Sequence, residues 1–292
     1  MEFEKNKSAV FPVIVVCTLI LVFWYLMAIP MNAVVTQPKI DAAGSGLYNT
    51  LLISWNYERP VLPAPHQIMA EIWKTVFLIE PWKPKSLLYH CWVTLSSTML
   101  GFTLGVAFGI ALAVIIVHSK ILNRALMPWI IASQTVPILA IAPMIIVVLG
   151  AIGLKGLLPK ALISMYLCFF PVTIGMVKGL TSPDLMHLDL MKTYNASARE
   201  VLWKLRFPAS VPYLFASLKI AIAIALTGAI VGELPTGAVA GIGARLLIGS
   251  YNGLTLMIWA ALVAASVMAA LLVWLVGYAE SRTAVAMGTK PL

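Results

Sequence analysis

Residues 87–117 read LLYHCWVTLSSTMLGFTLGVAFGIALAVIIV, without a single Asp, Glu, Lys or Arg. A helix needs about 20 such residues to cross the hydrocarbon core of a bilayer, and this run exceeds that. It is continuously apolar rather than alternating, which excludes a strand of an outer-membrane barrel and leaves a transmembrane helix. Working outward, five more runs of the same character lie at about 10–30, 125–150, 160–177, 211–232 and 254–279. The predicted fold is an all-α integral membrane protein of six transmembrane helices, with residues 1–292 as one membrane domain.

Composition agrees. The 292 residues are 61% hydrophobic and 11% charged, against about 45–50% and about 25% in soluble globular chains. The net charge of +9 is scattered between apolar spans, so it reads as membrane-flanking charge and not as a nucleic-acid patch. Cys17, Cys91 and Cys168 each sit inside an apolar run, with neither metal-ligand spacing nor a disulfide framework. The first run is too long for a signal peptide, and its leading MEFEKNK carries no net charge, so it is expected to stay as an anchor.

Lys and Arg in the short connections set the orientation. With a cytoplasmic N-terminus, the inner segments hold Lys5, Lys7, Lys120, Arg124, Lys178, Lys192, Arg199, Lys204, Arg206, Arg282 and Lys290. Most of the basic residues left outside fall in the long loop after the first span, which counts least. Both termini are therefore expected in the cytoplasm, the protein being a multi-pass protein of a bacterial inner membrane. The outer loop at about 31–85 contains VLPAPHQIMAEIWKTVF, a Pro-rich lead-in to a short amphipathic helix on the membrane surface. The inner loop at about 179–208 is the most polar stretch of the chain.

No catalytic constellation is legible. His66, His90, His118 and His187 are far apart and lack ligand spacing, so no metal site is expected. No nucleophile elbow and no phosphate-binding loop occur; if ATP powers this protein, another chain hydrolyses it. Gly101, Gly105 and Gly109 lie four residues apart on one helix face, as close helix packing requires. The third span, MPWIIASQTVPILAIAPMIIVVLG, contains Pro128, Pro137 and Pro143, which can kink it. Just before Pro137, the triplet Ser133, Gln134 and Thr135 is costly if it faces lipid. It fits interhelical hydrogen bonding or a substrate path equally well.

The inner loop reads DLMHLDLMKTYNASAREVLWKLRFPASVP from Asp184. Leu185, Leu188 and Met191 share a face of a first short helix. Asn195, tolerant of a left-handed backbone, breaks it. Ser197 and Glu200 form a capping box that starts a second helix, with Val201, Leu202 and Leu205 on one side. Pro208 and Pro212 then steer the chain back into the membrane. Two amphipathic helices at a turn fit either a docking knob for a soluble partner or a loop lying on the headgroups.

This loop resembles the EAA motif of the permease subunits of ABC importers. Asp189 falls at its Glu, Leu190 and Met191 at its alanines, Asn195 at its Gly, Leu205 at its Ile, and Phe207 and Pro208 at its Leu-Pro. Spacing is kept while the acid, both alanines and the glycine are replaced. VLPAPHQIMAEIW, SQTVPILAIAPMIIVVLG and GIGARL are similar to segments of the nitrate, sulfonate and taurine branch, which also includes importers of thiamine-precursor pyrimidines and riboflavin-like compounds. The resemblance implies a type I importer fold in which the Asp189–Pro208 segment, with Ser197 and Glu200, couples to ATPase subunits. It implies two copies of the permease (a homodimer), two ATPase subunits that carry ATP and Mg, and a periplasmic or lipid-anchored binding protein. The chain itself would be a transport subunit without a cofactor, not an enzyme. A self-contained secondary transporter or channel is the rival reading, and it calls for inverted repeats or intramembrane charges. Neither is visible, apart from Lys219 and Glu233 near opposite span ends. Ser133, Gln134, Thr135 and Pro137, with Tyr166, Phe169 and Phe170 of the fourth span, are the expected path lining. Neutral amides, hydroxyls and aromatic faces suit a planar uncharged heterocycle better than nitrate, a sulfonate or taurine, although backbone amides can also hold an anion.

Overall fold

The computed structural model describes residues 2–44, 46–234 and 238–288, with side chains from residue 11 onward. In chain order the helices are α1 (Glu2–Ala43), α2 (Leu47–Trp55), α3 (Pro65–Trp73), α4 (Leu87–His118), α5 (Lys120–Ser133) and α6 (Ile138–Ala151). They continue as α7 (Leu157–Leu180), α8 (Leu185–Thr193), α9 (Ala198–Val201), α10 (Phe207–Gly232), α11 (Ile242–Tyr251) and α12 (Thr255–Ala286). Five helical stretches are long and apolar enough to cross a membrane alone, and the bent pair α5–α6 brings the number to as many as six.

The chain forms two compact units, residues 1–89 with 245–264 and residues 90–244 with 265–292. In the first unit α1 runs well past the expected end near residue 30, through Pro30 and Pro38. Each proline removes one backbone donor, but in an apolar surrounding the remaining helical bonds have no better partner. Gly44, at φ +91°, follows the last turn as a left-handed terminator. Asn32 is fully buried. Its amide donates to the carbonyls of Ser54 (3.1 Å) and Leu62 (2.9 Å) and accepts from Leu62 N (3.0 Å). One side chain thus fastens the segment that follows α2. The amphipathic lead-in expected within 31–85 appears as α3, with Pro65 in its first turn, where a missing N–H costs nothing.

The second unit is built on close helix contacts. A Cβ at Gly101 would stand 2.5 Å from the Ala161 carbonyl oxygen, and one at Gly109 2.9 Å from that of Phe169. The glycine face of α4 therefore lies directly against the α7 backbone. The α7–α10 pair is stitched the same way along its length. Gly179 faces Ser210 Cα at 2.9 Å and Gly228 faces Ser164 Cα at 2.9 Å, while Gly232 faces Lys160 Cα at 3.2 Å. Ala113, Cys168, Val172, Met176, Leu180, Ala221 and Ala225 form the core between them.

Two expectations are corrected. The third span is not one kinked helix, since α5 and α6 meet at 97°. Nor is the second loop helix a short separate one. α9 passes through a π turn (Leu202–Arg206) straight into α10. Pro208 follows the π turn immediately, and the chain re-enters the apolar span as one helix.

Gly101→Ala is expected to destabilise the protein by about 1–3 kcal/mol, because the added methyl meets backbone that cannot move aside. Gly150→Ala, with open space around it, is the control. Thermal unfolding in detergent compares them, and equal stabilities would show that the α4–α7 contact is loose.

Candidate functional site

The segment between α7 and α10 is ordered by local bonds. At the end of α8, Asn195 N donates to Lys192 O (2.8 Å) and Ala196 N to Met191 O (3.0 Å). This is a Schellman pair whose left-handed residue is normally Gly. Here Asn195 takes it, at φ +51°, the one described non-glycine residue with positive φ. Ser197 then caps α9: its Oγ accepts from Glu200 N (3.3 Å), while Glu200 Oε2 accepts from Ser197 N (3.0 Å). Lys204 donates to Glu200 Oε1 at 2.9 Å. That ammonium first, and the Ser197 bonds second, push the Glu200 carboxyl down to about 2. The cap is therefore ionised at any physiological pH.

The loop sorts its apolar side chains in two directions. Leu202 is buried in the α7–α10 core, and Phe207 packs against it. Arg206 Nη1 donates to Leu180 O (3.2 Å) and ties the end of α7. Leu188, Met191 and Leu205 are half-buried. Outward stand Leu185 and Met186, 77% and 76% exposed, with Leu190, Tyr194 (76%) and Trp203. Asp189 is exposed and bonded to Lys192 at 2.8 Å, and Pro208 is exposed as well. Met186, Tyr194 and Trp203 have no place in the sequence reading. The signal for them is large apolar side chains set among charges in the most polar stretch of the chain.

At the α5–α6 elbow, Pro137 has no N–H to give to Ser133 O, four residues back. The Tyr166 hydroxyl donates to that carbonyl instead, at 2.5 Å. Ser133 Oγ and Thr135 Oγ1 donate to the carbonyls of Ile130 and Ala132, each at 2.7 Å. Of the triplet, then, the hydroxyls serve their own helix, and Gln134 presents an exposed amide. Phe169 is buried against Ile116 and Ile130 and edge-on to Phe108 at 5.5 Å. Phe170 packs on the same cluster. The structure thus joins Ser133 and Tyr166, leaves Gln134, Thr135 and Pro137 exposed, and buries Phe169.

A cleft of about 650 Å³ opens beside the start of α10, lined by Pro208, Pro212, Tyr213, Ala216, Glu280 and Met287. Glu280 of α12 is ion-paired with Lys219 of α10, so the lysine deep in that span is neutralised.

These features define a helical multi-pass membrane protein whose most polar loop is braced on two closely packed helices. Residues 105–285 match the family described as the binding-protein-dependent transport system inner membrane component. The chain belongs to that family and has its type I permease fold. It is similar to a probable ABC transporter permease protein of Haemophilus influenzae, with 31% identity over 194 residues, 64% of this chain and 74% of the other. A formylaminopyrimidine transport permease protein of Halalkalibacterium halodurans is 32% identical over 174 residues, 59% of this chain and 65% of that one. A riboflavin transport system permease protein of Chloroflexus aurantiacus is 31% identical over 203 residues, 67% and 72%.

Tyr166→Phe should cost about 1–3 kcal/mol, because it strips the one hydroxyl that replaces the donor missing at Pro137. Thermal unfolding checks it. An unchanged midpoint would show that the Ser133 carbonyl has another donor.

Proposed function

We propose that the chain is the permease subunit of an ABC importer in a bacterial inner membrane, paired with a second copy of itself. Two ATPase subunits dock on the segment 179–208, and a periplasmic or lipid-anchored binding protein delivers the cargo from the other side. The observation that carries this reading is the outward apolar face of Leu185, Met186, Leu190, Tyr194 and Trp203, held out by the Asn195 turn on a loop otherwise rich in charge. Exposed large apolar side chains clustered on a polar surface mark a docking site. ATP-driven closure of the ATPases would pull this loop and rotate the braced helices, alternating access to a central path.

Trp203→Ala and Asn195→Pro should leave insertion intact but abolish co-purification of the ATPase and its stimulated hydrolysis. Retained binding and stimulation in both variants would remove the docking role. The orientation is checked independently: with Tyr48→Cys an impermeant maleimide should label intact cells, and with Lys192→Cys it should not. The opposite pattern would reverse the topology.

For the cargo, the reading is a planar uncharged heterocycle such as a pyrimidine or vitamin precursor. Lys219 and Lys160 are both held by carboxylates, of Glu280 and Glu233, so neither offers a spare positive charge to an anion. Two of the similar permeases are named for formylaminopyrimidine and riboflavin. Permeases named for nitrate and for aliphatic sulfonates match at 26% identity, which keeps anion import as the second reading. Uptake by proteoliposomes holding the whole complex should favour pyrimidines over nitrate, taurine and alkanesulfonates. Transport confined to the anions would overturn the heterocycle reading.

A further inference from the structure

Away from the loop and the elbow, a fully buried carboxylate stands at the far end of α10. Glu233 is inaccessible to solvent. It accepts from Thr94 Oγ1 at 3.0 and 2.9 Å, from Lys160 Nζ at 3.3 Å and from Gly243 N at 3.0 Å. The same partners grip the chain that leads into α11. Lys160 Nζ donates to Ala240 O (2.9 Å), His90 Nδ1 accepts from Gly241 N (3.0 Å), and Thr94 Oγ1 accepts from Ile242 N (2.8 Å). Gly241, at φ +126°, and Gly243 are pressed so close that a Cβ on either would fall inside 3.0 Å of the Glu233 side chain. Every polar group of residues 240–243 that these bonds engage is answered from α4, α7 or the end of α10.

A buried charge whose ligands come from separate elements is strong at fixing their arrangement and weak as a source of net stability. Loop 240–243 therefore cannot shift relative to the ends of α4, α7 and α10 without stranding the carboxylate. α7 and α10 in turn are stitched together from the coupling segment to Gly232. With 26 residues, α10 spans about 39 Å between the two sites. We infer that Glu233 is a positioning residue that fastens loop 240–243 to the α7–α10 hairpin, so that displacement of the hairpin at the coupling segment carries this distant loop with it. The inference rests on the coupling reading of residues 179–208.

The test uses the permease with its ATPase subunits in nanodiscs, with Cys17→Ser and Cys91→Ser, and Val239→Cys as reporter beside the loop. A charged maleimide is applied in the nucleotide-free state and after trapping with ATP and vanadate, and nucleotide retention reports trapping separately. In the parent the labelling rate should differ at least about fivefold between the two states, the lower end of a typical coupling energy. Glu233→Gln and Thr94→Val should bring that ratio to one while trapping persists, and Thr94→Ser should restore it. A merely structural loss would lower stability without equalising the two states. A parental ratio kept in either trapped variant overturns the inference, as does a ratio of one in the trapped parent. Absence of trapping in the parent overturns the coupling reading, and the inference with it.

Discussion

The rest of the second unit depends on the close approach of α7 and α10. Between helices in lipid there is no hydrophobic driving force, so association depends on dispersion contacts and hydrogen bonds, both of which require short distances. Gly179 against Ser210, Gly175 against Ser217, Gly228 against Ser164 and Gly232 against Lys160 supply that shortness towards both ends of the pair. A methyl group at Gly179 or Gly228 would come within 3 Å of the facing backbone and push the helices apart. The glycines of α4 repeat the device on another face of α7. Three backbones are thereby brought together, and the polar 179–208 loop leaves from one end of the pair while the Glu233 cluster closes the other.

The elbow follows a different constraint. In an apolar surrounding every backbone carbonyl needs a donor, and a proline deprives one of them. A gentle kink would leave Ser133 O facing hydrocarbon, whereas the 97° break exposes it to Tyr166, one helix away. The polar triplet is therefore explained first as the hardware of a broken helix. Gln134 is left over as a group that can act on something outside the chain.

What the sequence reveals and what it hides divide along the range of the interaction. The six apolar runs, the Asn195 turn and the Ser197–Glu200 box are legible because each is decided within a few residues. The α4 glycines are legible as a face but not as a contact, since nothing in their spacing names α7. Gly175 and Gly179 carry the same spacing, but their partners Ser217 and Ser210 lie dozens of positions away. Phe169 is legible as an aromatic on a membrane helix, but its contact with Ile116 and Ile130 is not, since those residues lie on other elements. The end of α9 is misread for a local reason: Pro208 suggests a break, and only the π turn before it shows that the helix absorbs the missing donor. Glu233 is visible as an ionisable group at a span end, while its bonds to Thr94, Lys160 and Gly243 are not.

The two lysine–carboxylate pairs both involve α10, and their placement bears on how that helix can move. Lys160 of α7 reaches Glu233 at the end of α10, and Lys219 of α10 reaches Glu280 of α12. Neither pair is strong evidence for stability, since burying the ions costs about what their attraction returns. Register is another matter. Sliding α10 by one turn, about 5.4 Å, would separate both pairs at once. Such a slide leaves charge unpaired at two places, while a rotation of α7, α10 and their loops together with the part of α12 that carries Glu280 leaves both pairs intact. The interactions that fix the fold thus also select its permitted motion: the hairpin turns as a unit, and what displaces its loop end displaces its far end with it.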